Sequence, residues 1–319
     1  MSRQQKIAVI GAGAWGTALA VLNARAGRQV ILWARDAERA AAMAVTRQNA
    51  RLPGVTLPET LTVTGTMPEA DILLLAVPTQ HLRATLADLP GQTSVVLCCK
   101  GLEADSLLLP PEICTGRPAA ILTGPNFAHE IARGLPAAAV LATPDAVLRA
   151  RLMTALKTDT LRLYGSADII GAALGGAAKN VIAIAAGVVI GAGLGENARA
   201  ALITRGIVEI ARLATALGGR AETVSGLSGL GDLLLTCTGN SSRNFSLGLA
   251  LGQGESLESI LGCRASVTEG VATAPALLAR AAAANVDMPI TEAVTKLLAH
   301  EMNIAQTMAA LMGRALRDE

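Results

Sequence analysis

The sequence predicts two domains: an amino-terminal α/β domain built on a parallel sheet and an all-helical carboxy-terminal domain. Three observations carry this reading. In the first half, short apolar runs alternate with helical patterns, as expected of βαβ units around a covered sheet. The first of these runs leads directly into a glycine-rich turn and a helix. From about Ile169 the helical period takes over. At 319 residues the chain has room for two domains, and its 51% hydrophobic and 16% charged composition argues against disorder.

Strands are expected at Lys6–Ile10, Gln29–Ala34, Ile72–Val77, Ser94–Cys98, Ala119–Thr123 and Ala137–Ala142, with a further one at Thr160–Tyr164. Thr17–Ala26 reads as the first connecting helix, and "LPGVTLPET" at Leu52–Thr60 as a proline-rich loop. Helices are expected at Ala172–Val189, Asn197–Leu217, Ser246–Gly252, Val267–Ala283, Ile290–His300 and Asn303–Gly313. The domain boundary falls near Gly165–Gly176, giving residues 1–170 and 171–319. Two such domains leave a cleft, a common place for ligands.

Composition narrows the function. A formal charge of +2, with only two Phe, one Tyr and two Trp, gives no reason to expect a nucleic-acid surface. Cys98, Cys99, Cys114, Cys237 and Cys263 form neither a disulfide framework nor a zinc spacing, so a reduced, cytoplasmic setting with no structural metal is expected. The opening "MSRQQKIAVIGAGAWG" lacks the apolar core of a signal peptide. The run Val181–Gly195 is short for a membrane span and reads as a buried helix.

The turn after the first strand is "KIAVIGAGAWGTALA". It sets Gly11, Gly13 and Gly16 in a GxGxxG pattern between strand and helix. Gly11 can make the tight turn, Gly13 leaves room for a pyrophosphate, and Gly16 allows close helix–strand packing. The helix start adds amides and a favourable field for phosphate. This is the dinucleotide-binding signature of a Rossmann-like domain. The next strand ends "VILWARD". Arg35 suits the 2′-phosphate of NADPH, with Arg39 as an assistant, while Asp36 keeps NAD open. NADPH is favoured. The alternative is that both arginines merely solvate a helix start.

Polar residues recur just past other strand ends. Lys100 follows one, and Gly124, Pro125 and Asn126 follow another, where open α/β sheets bind ligands. Lys100 could neutralise an anion or cap a strand. Asn126 could orient a hydroxyl or cap a loop. His129 is a weaker acid/base candidate. Lys179 stands out, one of five lysines against 22 arginines, in the apolar stretch "LGGAAKNVIAIAAG". An ammonium there needs a partner or a route to solvent, and burial brings a lysine toward the range useful for proton transfer. Snorkelling to the rim is the competing explanation. Downstream, Asp232 is a candidate partner for Lys179. "SSRN" joins Ser241, Ser242, Arg243 and Asn244 as an anion site or a helix cap. Glu269 opens a helix in "VTEGV", as a cap or a cofactor contact.

Taken together, "GAGAWGTALA", the Lys100–Gly101 pair, "GPNFA", "AAKNVIAIAAG", "TRG", "GLSGLGDLLLTC", "SSRN" and "VTEGV" resemble the bacterial NAD(P)-dependent glycerol-3-phosphate dehydrogenases over nearly the whole chain. The resemblance implies reversible conversion of dihydroxyacetone phosphate and sn-glycerol 3-phosphate, supplying phospholipid synthesis, with Lys179 as proton donor and acceptor. It implies substrate contacts from Lys100, Gly124, Asn126, Asp232, Ser242, Arg243 and Asn244. It implies cofactor contacts from Ala14, Trp15, Arg35, Lys100, Ala128, Arg243, Val267 and Glu269. The partners expected are then a phosphorylated small molecule, no nucleic acid and no membrane, with homodimerisation left open. Ala14 stands where Ser is common, Asn126 where Ser or Thr is frequent, and "GGAAKN" replaces a leucine-containing version. Two rivals remain: a related lysine-using hydroxy-acid dehydrogenase, and a non-enzymatic NADPH-binding sensor.

Overall fold

The computed structural model describes residues 5–239, 241–263 and 268–312. The chain folds into two compact units. One comprises the residues up to Lys100 together with Leu109–Ala173, and the other Gly101–Leu108 with the residues from Leu174 onward.

The first unit is built on eight strands: β1 Lys6–Ile10, β2 Gln29–Trp33, β3 Leu61–Thr64, β4 Ile72–Leu75, β5 Val95–Leu97, β6 Ala119–Thr123, β7 Ala137–Ala142 and β8 Leu161–Ser166. They lie in the order β3-β2-β1-β4-β5-β6-β7-β8. β1 is parallel to both β2 and β4, so the chain reverses its direction of travel across the sheet between β1 and β4. Such a switch point opens a crevice at the strands' carboxyl ends. The strands are apolar because helices cover them: Ile72–Leu75 and Val95–Leu97 are buried throughout.

Two features depart from the expected parallel sheet. β7 runs antiparallel to β6, and β8 follows β7 in parallel, so the sheet is mixed. Between Thr123 and Ala137 the chain forms only the six-residue helix Ala128–Arg133, whereas a parallel return usually crosses over through a longer helix. β7 to β8 has such a crossover in Ala146–Leu156. The second departure is β3, which follows the proline-rich loop and pairs with β2 from Val30↔Leu61 to Trp33↔Thr64. Its "LTVT" is only four residues long and lies at the sheet edge.

The helix after β1 starts at Ala14, three residues earlier than the sequence suggests, with Gly13 as its N-cap. The Gly11 N–H donates to the Trp33 carbonyl (3.1 Å), tying the turn to β2.

From Leu174 onward the second unit contains helices and no strand among its described residues. Its long helix Ile169–Gly191 begins in the first unit, where Asp168 Oδ1 accepts from the Gly171 N–H (2.8 Å). At 23 residues it is long and apolar enough to cross a membrane, so the length argument against a span does not hold. Burial answers the question instead: 94% of its most apolar window lies inside the protein. Against it packs Arg243–Gly252. A Cβ on Gly248 would lie 2.0 Å from the Ile184 carbonyl oxygen. One on Gly187 would lie 2.1 Å from that of Phe245, one on Gly191 2.2 Å from that of Leu249, and one on Gly252 2.6 Å from that of Val188. The two backbones therefore touch along a seam where no side chain fits.

Helix Gly195–Ala216 carries Glu209, which is 1% exposed. Its carboxyl accepts from the N–H groups of Ile290 (2.8 Å) and Thr291 (3.4 Å). It thus caps helix Pro289–Leu298 from a neighbouring element. Burial outweighs these two donors and pushes the Glu209 pKa up from 4.5 to about 7.

Two outcomes are expected. Gly248→Ala should destabilise the chain by about 1–3 kcal/mol in urea denaturation, the usual cost of overpacking; wild-type stability would show that the seam relaxes freely. For Glu209, the native state holds its proton to about pH 7, whereas the unfolded chain releases it near 4.5. Native protein binds more protons in that window, so stability falls as pH rises through it. The full difference is about 3 kcal/mol. Glu209→Gln should lose that dependence, and parallel pH profiles for the two proteins would count against it.

Candidate active site

In the first unit, the candidate cofactor site is the turn Gly11–Gly16 at the β1/β4 switch point. Gly11 has φ +113°, and a Cβ there would meet the Ala76 carbonyl oxygen at 2.8 Å. A Cβ on Gly16 would lie 1.9 Å from the Gly11 carbonyl oxygen, so the helix can sit this close to the strand only with glycine at that position. A Cβ on Gly13 would meet no atom within 4 Å, so the turn is open on the side where a pyrophosphate fits. The 12-residue helix has no side-chain cap and no acid in its first turn, which leaves the field at its start available to an anion. Trp15 Nε1 is buried without a hydrogen-bond partner. An open glycine cradle and an orphaned donor in the same turn fit a dinucleotide.

At the end of β2, Arg35 is exposed. Asp36 is exposed as well; one of its carboxylate oxygens accepts from the Arg39 N–H (3.0 Å) and caps helix Ala37–Thr46. Arg39 does not extend beside Arg35 as an assistant. Its guanidinium donates to the Ala12 carbonyl and to Asn49 Oδ1 (3.3 Å). Desolvation and, second, the nearby Arg51 charge lower its pKa.

Lys100 and Asn126 meet at the carboxyl ends of β5 and β6. Lys100 Nζ donates to the Gly124 carbonyl (3.3 Å). Gly124 has φ +138°, and Asn126 Nδ2 donates to the Ala138 carbonyl (3.1 Å), leaving Asn126 Oδ1 buried without a partner. Thr123 Oγ1 on the same strand end is also unpartnered. Ala128 begins the short helix after this loop. His129 is half exposed, 3.9 Å from Glu130 and stacked on Phe127.

In the second unit, Lys179 lies on the buried helix and is 9% exposed; Asp232 is wholly buried. Lys179 Nζ donates to Asp232 Oδ1 and to Thr236 Oγ1 (2.9 Å). Thr236 in turn donates to the Asp232 carbonyl (2.5 Å). Asp232 opens a short helix after the π-helical turn Leu227–Gly231, a distortion often found at functional sites. Against that turn lies Gly175, one helical turn before Lys179. A Cβ there would meet the Ser228 carbonyl oxygen at 2.6 Å. Close approach at Gly175 thus sets the register of lysine on aspartate. Cys237, next to Thr236, has its thiol pushed up to about 12, chiefly by burial, so it does not compete for protons near neutral pH.

Ser242 and Asn244 are tied into the framework. Ser242 Oγ accepts from the Phe245 N–H (3.2 Å) as the cap of helix Arg243–Gly252, while Arg243 is exposed. Asn244 is buried, donating to Asn180 Oδ1 (2.9 Å) and accepting from the Gly270 N–H (3.1 Å). Through Gly270 it fixes the start of helix Glu269–Ala283. Val267 lies outside the described residues. Three residues that matter here are not singled out by the sequence pattern. Thr236 sits four residues after Asp232, one helical turn, which is a usable signal. Asn180 and Asn49 carry none.

Two family models match the chain: the NAD-dependent glycerol-3-phosphate dehydrogenase N-terminus over residues 6–148 and the corresponding C-terminus over residues 168–309. A glycerol-3-phosphate dehydrogenase [NAD(P)+] of Acidiphilium cryptum is 63% identical, with all of both chains covered. One from Gluconobacter oxydans is 52% identical over 98% of each. A crystal structure of glycerol-3-phosphate dehydrogenase from Coxiella burnetii has a TM-score of 0.93 at 35% identity, covering 98% of this chain and 99% of that one. The chain belongs to the NAD-dependent glycerol-3-phosphate dehydrogenase family.

Proposed function

We infer that this chain interconverts dihydroxyacetone phosphate and sn-glycerol 3-phosphate with NAD(P)H, and that Lys179 exchanges the proton. The observation that carries the second part is a buried ammonium held between Asp232 and Thr236 within the segment that matches the family's C-terminal model. Residues 1–170 form the dinucleotide-binding domain in this reading, with Lys100, Gly124 and Asn126 also serving the substrate; residues 171–319 carry the proton-exchanging lysine and the remaining substrate contacts, with Glu269 also facing the cofactor. The nicotinamide, when bound, supplies the hydride.

The protein's own residues do the rest. Reducing a ketone places negative charge on its oxygen, which a positioned donor stabilises as it develops. Lys179 gives that oxygen a proton and becomes an amine. Thr236 still accepts an N–H from the amine, so Nζ keeps its place through the cycle. In the oxidative direction the amine takes the hydroxyl proton. Asp232 sets the position of Nζ and compensates its charge. Lys100 and Arg243 supply cations for the substrate phosphate, for which guanidinium is well shaped. Gly124 and Asn126 bound the substrate beside Lys100, and the unpartnered Asn126 Oδ1 would accept from a substrate hydroxyl. Ala128 and Glu269 complete the cofactor's surroundings.

An exposed Arg35 beside an Asp36 with one oxygen engaged as a cap supports NADPH over NADH. Five free thiols suit the reducing cytoplasm. A homodimer would cover the apolar helix Ile304–Met312, which buries none of its residues in the single chain. The product would feed phospholipid synthesis.

Lys179→Ala should lower kcat for dihydroxyacetone phosphate reduction by about 10²–10⁴-fold, the usual share of a general acid. Alanine leaves Asp232 buried and uncompensated, so Lys179→Arg is the companion: it keeps the charge but holds its proton too tightly to give it up. NADPH binding, read by fluorescence, should survive in Lys179→Arg while turnover is lost; wild-type turnover in that variant would reject the proton-transfer role. Arg35→Ala should raise the KM for NADPH by about 10–100-fold, the range of a lost charge-assisted bond, and leave the KM for NADH nearly unchanged. Equal effects on both would reject the 2′-phosphate contact.

A further inference from the structure

We propose that Asn49 is a positioning residue for the dinucleotide, holding the phosphate-binding turn from behind; the proposal rests on the cofactor reading above. Asn49 lies in the loop after helix Ala37–Thr46 and is 2% exposed. Its amide nitrogen donates to the Ala12 carbonyl (3.1 Å) and to Thr17 Oγ1 (2.7 Å). Its amide oxygen accepts from Arg39 (3.3 Å) and from the Arg51 N–H (3.1 Å). Both ends of the side chain are thus assigned, and the orientation of the amide is fixed by the two acceptors on one side and the two donors on the other.

The target of these bonds explains their use. Ala12 lies between Gly11 and Gly13, and Thr17 lies on the first turn of the helix. One amide group therefore staples the turn to the helix that follows it. Arg39 donates to the same Ala12 carbonyl, closing a ring of Asn49, Arg39 and Ala12. A carbonyl pulled back by two donors cannot rotate toward the phosphate side, where its negative end would repel the ligand. In the same trans peptide the Gly13 N–H points opposite to that carbonyl, so holding the Ala12 oxygen back keeps the Gly13 N–H on the other side. Asn49 also holds Arg39 away from Arg35. It thereby separates the arginine that shapes the turn from the one left exposed at the end of β2.

Two consequences distinguish this role from general stabilisation. The turn serves the pyrophosphate, which NADPH and NADH share, so loosening it should weaken both equally. Arg35→Ala should weaken only NADPH. The effect should also fall on cofactor affinity and not on the proton-transfer step.

The test uses the full chain. Asn49→Asp has the same shape and keeps the acceptors for Arg39 and Arg51, but it cannot donate to Ala12 or Thr17. NADPH and NADH affinities are measured by fluorescence titration, and steady-state kcat and KM for both substrates in the reductive direction. The expected result is an approximately tenfold or greater rise in Kd for both cofactors, with kcat at saturating cofactor and KM for dihydroxyacetone phosphate within about twofold of wild type. Unchanged cofactor affinity in a folded Asn49→Asp, or a loss confined to NADPH, would overturn the proposal. Should Asn49→Asp not fold, Thr17→Val removes only the staple to the helix and is expected to weaken both cofactors by a smaller common factor; no weakening there overturns it as well. Failure of the wild-type chain to bind either dinucleotide would instead remove the cofactor reading on which the proposal stands.

Discussion

The ion pair between Lys179 and Asp232 is the constraint around which the second unit is arranged. Burying two charges costs several kcal/mol per ion unless geometry and extra hydrogen bonds offset it. A well-packed apolar pair would be no less stable. What the charged pair supplies is an ammonium nitrogen at a fixed point, and the surrounding contacts keep it there. Thr236 gives a second acceptor to Nζ and is itself held by the Asp232 carbonyl. Gly175 lets the lysine-bearing helix touch the π-helical turn that precedes Asp232. The glycine seam at Gly187, Gly191, Gly248 and Gly252 brings the Arg243 helix into backbone contact with the same long helix. Because these contacts are between backbones, they leave little freedom for the helices to slide.

The residues around "SSRN" show how one motif can serve structure and chemistry together. The sequence is compatible with two explanations, an anion site or a helix cap. Ser242 does cap, and Asn244 bridges Asn180 to the start of the Glu269 helix. The helix cap therefore accounts for Ser242, while Arg243 remains exposed beside it. A guanidinium projected from a capped helix start next to the lysine-bearing helix keeps the anion reading in play, with Ser242 and Asn244 fixing where Arg243 begins.

Much of this is legible in the sequence for identifiable reasons. The glycine turn can be read because each glycine answers a separate steric demand. At Gly11 and Gly16 a backbone atom lies within 3 Å of where a Cβ would stand, and at Gly13 there is open space. Lys179 can be read because a charge in an apolar run demands a partner, and Asp232, 53 residues away, is that partner. The direction of β7 cannot be read, since strand periodicity is the same for parallel and antiparallel pairing. β3 is hidden because four residues of "LTVT" after prolines give too short an alternation to separate from a loop. Asn49 and Asn180 are hidden for a different reason. A buried amide is justified by several partners at once, and those partners come together only on folding.

The two ends of the proposed reaction are held by opposite devices, and this follows from what each must hold. A pyrophosphate is already charged in every state of the reaction, so fixed backbone amides and a helix field suffice, provided no carbonyl turns against them. The protein's work there is restraint: Asn49 and Arg39 hold back Ala12, and Asp36 caps its own helix. The carbonyl oxygen changes its charge during reaction, so its partner must be able to change too. A backbone amide has no second protonation state to offer, whereas a lysine has both an ammonium and an amine form. The site for the changing charge is therefore made of side chains, and side chains stay in register only when buried against one another. That is why the second unit is built on glycine seams and a desolvated pair, while the first relies on a short turn at the switch point of its sheet.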